Sequence, residues 1–115
     1  MIYVSSNTDL QTIDTFELSL VHSVDYVIHV SNSEDNQITY LNVTHDGVTT
    51  GELQESVVQS NGSSLEFTTD VNLYECRLRV QPINPNTSFI IEKQVRLCNL
   101  YSESTKSGKL IYANC

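Results

Sequence analysis

Apolar and polar residues alternate one by one along most of this chain, and that pattern excludes a helical fold. Side chains of a strand point to opposite faces in turn, whereas a helix repeats every 3.6 residues. Helical periodicity is nearly absent. Thr15 to Leu20 places Phe16, Leu18 and Leu20 on one face, and Asp25 to Val30 does the same with Tyr26, Ile28 and Val30. Gln37 to His45 aligns Thr39, Leu41, Val43 and His45. Leu65, Phe67 and Thr69 continue the habit. Tyr74 to Gln81 shows it most clearly, with Tyr74, Cys76, Leu78 and Val80 opposite Glu75, Arg77, Arg79 and Gln81. Thr87 to Leu97 puts Phe89, Ile91, Val95 and Leu97 on a face interrupted by Lys93.

The breaks between these runs are turn chemistry. Ser31 to Asn36 is a polar cluster. Asp46-Gly47 reads as a tight hairpin, because type I′ turns require positive φ and favour that dipeptide. Val48 to Thr50 then begins a return strand, in which Gly51 marks a bulge or bend. Leu53 to Gln59 continues it up to Asn61-Gly62, a second turn signal. Pro82 and Pro85 end the Tyr74 to Gln81 run, since neither can donate to a ladder. Eight or nine short strands with turns roughly every 8–12 residues predict an all-β, two-layer antiparallel sandwich, immunoglobulin-like or jelly-roll-like. The expected division is a sandwich domain over 1–97 and a C-terminal extension, with a short terminal strand, over 98–115. Shared-face alternation predicts a core of Phe16, Leu18, Tyr26, Ile28, Leu41, Val43, Leu78, Val80, Phe89 and Ile91.

Composition narrows the function. The 115 residues suit one domain. A net charge of −8 would repel phosphate backbones and anionic lipid, so neither nucleic-acid binding nor membrane association is expected. No apolar run approaches the roughly 20 residues of a membrane span. Met1-Ile2-Tyr3-Val4-Ser5-Ser6 has neither the basic nor the apolar region of a secretory signal, so a chain that stays where it is made, or one already processed, is expected. Cys76, Cys98 and Cys115 are an odd number for a disulfide framework and include no C-x-x-C pair. Reduced thiols are the expected state, with a Cys76–Cys98 bridge as the alternative if their strands are neighbours.

Candidate chemistry is sparse. His22, His29 and His45 fall at scattered positions without metal-ligand spacing, so no metal is expected. His45-Asp46-Gly47 looks like a hydrolase fragment, but the hairpin already requires its Asp and Gly. Glu34-Asp35 lacks the spacing of a calcium loop. Asn42, Asn61 and Asn86 begin glycosylation sequons that a chain this rich in Asn, Ser and Thr produces by chance. No catalytic residue and no cofactor are expected.

The order of segments nevertheless resembles a known module. Val24 to Val30 leads to a strand ending His45-Asp46-Gly47. Gly62-Ser63-Ser64-Leu65 and Phe67-Thr68-Thr69-Asp70 follow, then Arg77-Leu78-Arg79-Val80-Gln81-Pro82 and Ser88 to Arg96. This is similar to a small β-sandwich module of virion structural and tail-fibre-like proteins of marine tailed bacteriophages, including those of cyanobacteria, over roughly residues 12 to 97. The resemblance implies a non-enzymatic particle component, made in the host cytoplasm and residing in the virion. It would decorate the capsid or attach to tail or fibre. Its partners would be other virion proteins and further copies of itself, with a host-surface glycan as a further candidate. The module often lies within longer fibre proteins, and residues 98 to 115 have no counterpart in it. The alternatives are an immunoglobulin-like adhesion ectodomain, which lacks the expected core Trp, or a carbohydrate-binding module, for which aromatic platforms are few.

The extension carries an expectation of its own. Lys109-Leu110-Ile111-Tyr112 is a β-prone segment on a polar tether, suited to pairing with a neighbour's sheet or to closing an edge of its own sandwich. Tyr101, Leu110, Ile111 and Tyr112 are the candidate interface residues.

Overall fold

The computed structural model describes residues 1–34, 36–58 and 64–98. They form eight strands and no helix. In chain order these are β1 (Ile2–Val4), β2 (Gln11–Glu17), β3 (Val21–Ser31), β4 (Asn36–His45), β5 (Thr50–Val58), β6 (Phe67–Asn72), β7 (Glu75–Val80) and β8 (Ser88–Leu97). A five-stranded sheet in the order β1-β8-β3-β4-β5 faces a three-stranded sheet in the order β2-β7-β6, and every pairing is antiparallel.

Alternation decides which side chains fill the space between the sheets. From β3 come Val24, Tyr26, Ile28 and Val30; β4 adds Leu41 and Val43, and β8 adds Phe89 and Ile91. The opposing sheet answers with Phe16, Phe67, Cys76, Leu78 and Val80. Phe67 meets Phe89 edge to face, with ring centroids 6.1 Å apart. All ten residues expected in the core are buried. Each large aliphatic or aromatic side chain so placed contributes about 1.5–3 kcal/mol.

Side chains close the two seams between the sheets. Along one seam, glutamines imitate the missing strand pairing. The Gln37 amide donates to the Leu65 carbonyl at 3.0 Å and accepts the Leu65 N–H at 2.9 Å. The Gln54 amide does the same to Phe67, at 3.3 and 3.0 Å. A buried backbone needs such partners, and an amide side chain supplies one donor and one acceptor at peptide spacing. Along the other seam, the Tyr26 hydroxyl donates to Asp14 Oδ2 at 2.8 Å, and Lys93 Nζ lies 3.0 Å from the same oxygen. Burial, together with the Asp14 charge, holds the Tyr26 phenol well above the usual tyrosine range.

Several local expectations are corrected. The first alternating run ends at Glu17, because the chain there crosses from one sheet to the other; Leu20 falls in the crossing and is 49% exposed. Gly51 pairs with Thr44 in unbroken register, so no bulge lies there. Register shifts occur instead at Ile13, between Thr12 and Asp14, and at His22, between Val21 and Ser23. The Asp46-Gly47 turn has four residues rather than two, since His45 pairs with Thr50. Val95 and Leu97 share the inward parity of Ile91 but are not buried, and Lys93 at that parity reaches Asp14. Asn61-Gly62 lies outside the described residues.

The cysteines divide. Cys76 is a free thiol at the centre of the core, and burial pushes it up to about 12, so it stays protonated. Cys98 is disulfide-bonded, contrary to the expectation of reduced thiols. Cys76 and the strand before Cys98 lie in different sheets, and a Cys76–Cys98 bridge is thereby overturned.

Candidate docking surface

Four connections meet at one end of the sandwich. They are the crossing from Glu17 to Val21, the Asp46–Thr49 turn, the Leu73-Tyr74 hairpin tip, and Cys98 after β8. Strand pairing brings them together. Glu17 pairs with Glu75, His45 with Thr50, Asn72 with Glu75, and Val21 with Leu97. The backbone ties the connections directly: the Leu18 N–H donates to the Tyr74 carbonyl at 3.0 Å, and the Cys98 N–H donates to the Leu20 carbonyl at 2.8 Å.

The β6–β7 tip is unusual for its sequence. Asn72 pairs with Glu75, leaving Leu73 and Tyr74 as a two-residue connection. Leu73 has φ of 58°, in the left-handed region that such hairpins fill with Gly, Asn or Asp. A leucine there costs about 1–2 kcal/mol relative to the right-handed conformation. Its side chain recovers nothing by burial, being 82% exposed beside a Tyr74 that is 83% exposed. The alternation put Tyr74 on the core face of β7, but the strand runs out at Glu75, and the tyrosine projects past the end of the sandwich. Asn72 ahead of two large residues was the available sign of a turn.

The surroundings give this tip a shape and a charge. Glu17, Leu18, Ser19, Gly47, Leu73 and Tyr74 line an open cleft of about 520 Å³. Leu20, Val48 and Leu97 add exposed apolar surface at the same end. Glu17 and Glu75 stand directly opposite across the strand pair, where like charges repel. The end is therefore apolar at its tip and acidic at its base.

A second exposed apolar group crosses the outer face of the larger sheet. Ile2, Ile90, His29, Ile38 and Val57 form one cross-strand row through successive pairings. This row is interrupted by His29. It is flanked by polar contacts, with Arg96 bound to Asp25 at 2.6 Å and holding that carboxyl below its usual range. Nothing in its backbone is strained.

The histidines are dispersed. His45 Nδ1 accepts the Gly47 N–H at 2.9 Å, which leaves the proton on Nε2 for the Val21 carbonyl at 2.6 Å. Both ring nitrogens thus serve the backbone. His29 bonds Asn36 at 2.9 Å, and His22 is exposed. Among the described residues no group of three His, Cys, Asp or Glu could hold a metal. Asp46 caps its own turn, accepting the N–H groups of Val48 and Thr49 at 2.9 and 2.7 Å. Among the described residues no helix is long and apolar enough to cross a membrane. Tyr101, Leu110, Ile111 and Tyr112 lie outside the described residues.

Fold and surface together define an all-β sandwich protein with an apolar, acid-based end. No protein-family model, curated protein or solved structure matches the chain.

Proposed function

We propose that this chain is a non-enzymatic structural module that attaches to another protein through the Leu73-Tyr74 end of its sandwich. The observation that carries this reading is Leu73, a leucine held at positive φ with its side chain in solvent. Folding would be served better by glycine or asparagine at that position, and local strain without a folding benefit points to a binding role. The complementary surface is an apolar pocket with basic groups at its rim, which would insert the tip and neutralise the Glu17–Glu75 pair. The segment order that resembles tailed-phage virion modules makes a particle the setting, with capsid, tail or fibre protein as the partner. A disulfide at Cys98 fits an oxidising exterior such as a virion surface.

The test is site-specific photocrosslinking in purified particles, with the probe at Tyr74 or, as a comparison, at Tyr40 on the outer sheet face. The reading expects the chain to co-purify with particles. It expects Tyr74 to crosslink to one virion protein at a peptide that combines apolar and basic residues. Stronger crosslinking from Tyr40 would move the interface to the sheet face. Absence of the chain from particles would remove the virion setting.

A further inference from the structure

We propose that the outer edge of β5 is a strand-docking site, which takes a basic, extended segment of another protein as an additional strand of the larger sheet. The backbone carries the inference. In an antiparallel pair only alternate residues of a strand bond its neighbour; the N–H and C=O groups of the others point away. Strand β5 ends the order β1-β8-β3-β4-β5, so along Thr50–Val58 those outward groups have no strand beside them among the described residues. An open edge of this kind is a template for another chain.

The other edges are blunted, each by a different device. Strand β1 is three residues long. Beyond Ile91 the open part of β8 carries Glu92, Lys93 and Arg96. Strand β2 is irregular at Ile13, where its register shifts between Thr12 and Asp14. The edge of β6 is occupied: the Gln54 side chain takes both backbone groups of Phe67, and Gln37 does the same for Leu65 just ahead of the strand. Strand β5 has none of these devices. It is nine residues long, pairs with β4 without a shift, and contains neither Pro nor Lys. Gln54 and Thr50 reach β6 through their side chains alone, which leaves the outward backbone groups of β5 free.

Charge selects the occupant. All six Lys and Arg residues lie at or after Arg77, and twelve of the fourteen Asp and Glu residues precede it. The topology turns this asymmetry of sequence into one of space. Arg77 and Arg79 sit on β7, and Lys93 and Arg96 on β8, whereas β4, β5 and β6 carry no Lys or Arg. Glu52 and Glu55 on β5 and Glu66 just ahead of β6 stand at the open edge. Among the described residues the ion pairs engage Asp14, Asp25 and Asp70 and none of these glutamates. A second copy of the chain would bring like acids together. Lys or Arg on an incoming strand would instead meet them at cross-strand distance. Leu53, Glu55 and Val57 share the outer face of β5, so the matching segment presents apolar, basic and apolar residues at alternate positions. This site does not depend on the Leu73-Tyr74 tip.

The test is amide hydrogen exchange of the full chain, read residue by residue by NMR, with a blocked peptide of sequence TVTKTVKT. Peptide at about ten times its Kd should slow the outward amides of Thr50–Val58 by roughly tenfold, because they exchange only from the unbound chain. The same peptide with every amide N-methylated keeps the charge but donates nothing to the ladder, and should bind at least about tenfold more weakly. The double variant Glu52→Gln, Glu55→Gln, with its fold checked by melting, should bind TVTKTVKT about three- to tenfold more weakly. No slowing in β5, or slowing in β6 or β8 instead, would overturn the site. So would slow exchange of the outward β5 amides in the free chain, since the edge would already be covered. Equal binding of the N-methylated peptide would overturn strand pairing, and equal binding of the acidic peptide TVTETVET would overturn the basic partner. Slowing that grows with protein concentration in the absence of peptide would make a second copy the occupant and overturn the proposal. None of these readouts involves Tyr74, so failure here and failure of crosslinking at Tyr74 remain separate results.

Discussion

Two turns lie side by side at one end of this sandwich, and they solve the same problem in opposite ways. The Asp46–Thr49 turn uses residues suited to it. Asp46 accepts two backbone N–H groups and the Thr49 hydroxyl, and glycine takes the φ of 92° at position 47. The Leu73-Tyr74 turn uses residues unsuited to it, a leucine at φ of 58° followed by an exposed tyrosine. Both turns join neighbouring antiparallel strands, so topology does not explain the difference. A sequence locally consistent with its fold nearly everywhere breaks the rule at one place, and such places are where function is expected.

Substitutions can break this comparison or sharpen it. The largest effect belongs to the core beneath the tip, on the strand that Tyr74 leads into. Leu78→Ala should lower stability by about 2–5 kcal/mol in chemical denaturation. If Leu78→Ala were neutral, the two turns would not rest on a common packed core. Gly47→Val comes next, because a β-branched residue at positive φ is strongly disfavoured; about 1–2 kcal/mol should be lost. Unchanged stability would mean that the suited turn is as tolerant as the strained one.

Asp46→Asn tests the turn through pH. Hydrogen bonds from Thr49 and Val48 hold the Asp46 carboxyl below its ordinary value of 3.8. A carboxyl with a lowered folded pKa contributes stability above its unfolded pKa, and loses it as pH falls through the folded value. Wild type should therefore melt above the variant at neutral pH, and the gap should close in strong acid. A gap independent of pH would assign the effect to something other than the charge.

Much of this fold was legible because alternation is a strong signal where one face is buried. Leu78 and Val80 are buried and Arg77 and Arg79 point outward, as a period of two requires. What escaped was decided by position rather than pattern. Tyr74 has the parity of Leu78 but lies beyond the last strand pair, where parity no longer means burial. Val95 and Leu97 have the parity of Ile91, yet the smaller sheet does not cover them. Gln37 and Gln54 read as polar strand residues, and only the gap between the sheets turns them into substitutes for a missing strand. Strand β1 is short and mostly exposed, so it left no periodic trace.

The central claim is that the Leu73-Tyr74 tip is strained for docking and not for folding. Leu73→Asn, alone and with Tyr74→Ser, tests it when melting and partner affinity are measured on the same protein. The binding partner used is whichever protein is captured by crosslinking through Tyr74. Asparagine tolerates the left-handed backbone, so Leu73→Asn should raise stability by about 0.5–1 kcal/mol. Adding Tyr74→Ser should shift it by no more than about 0.5 kcal/mol. Affinity should fall by at least roughly tenfold in the single variant and further in the double, as for an anchor residue at an interface. A variant that melts lower while binding as well as wild type would show that the tip serves the fold, and would contradict the account.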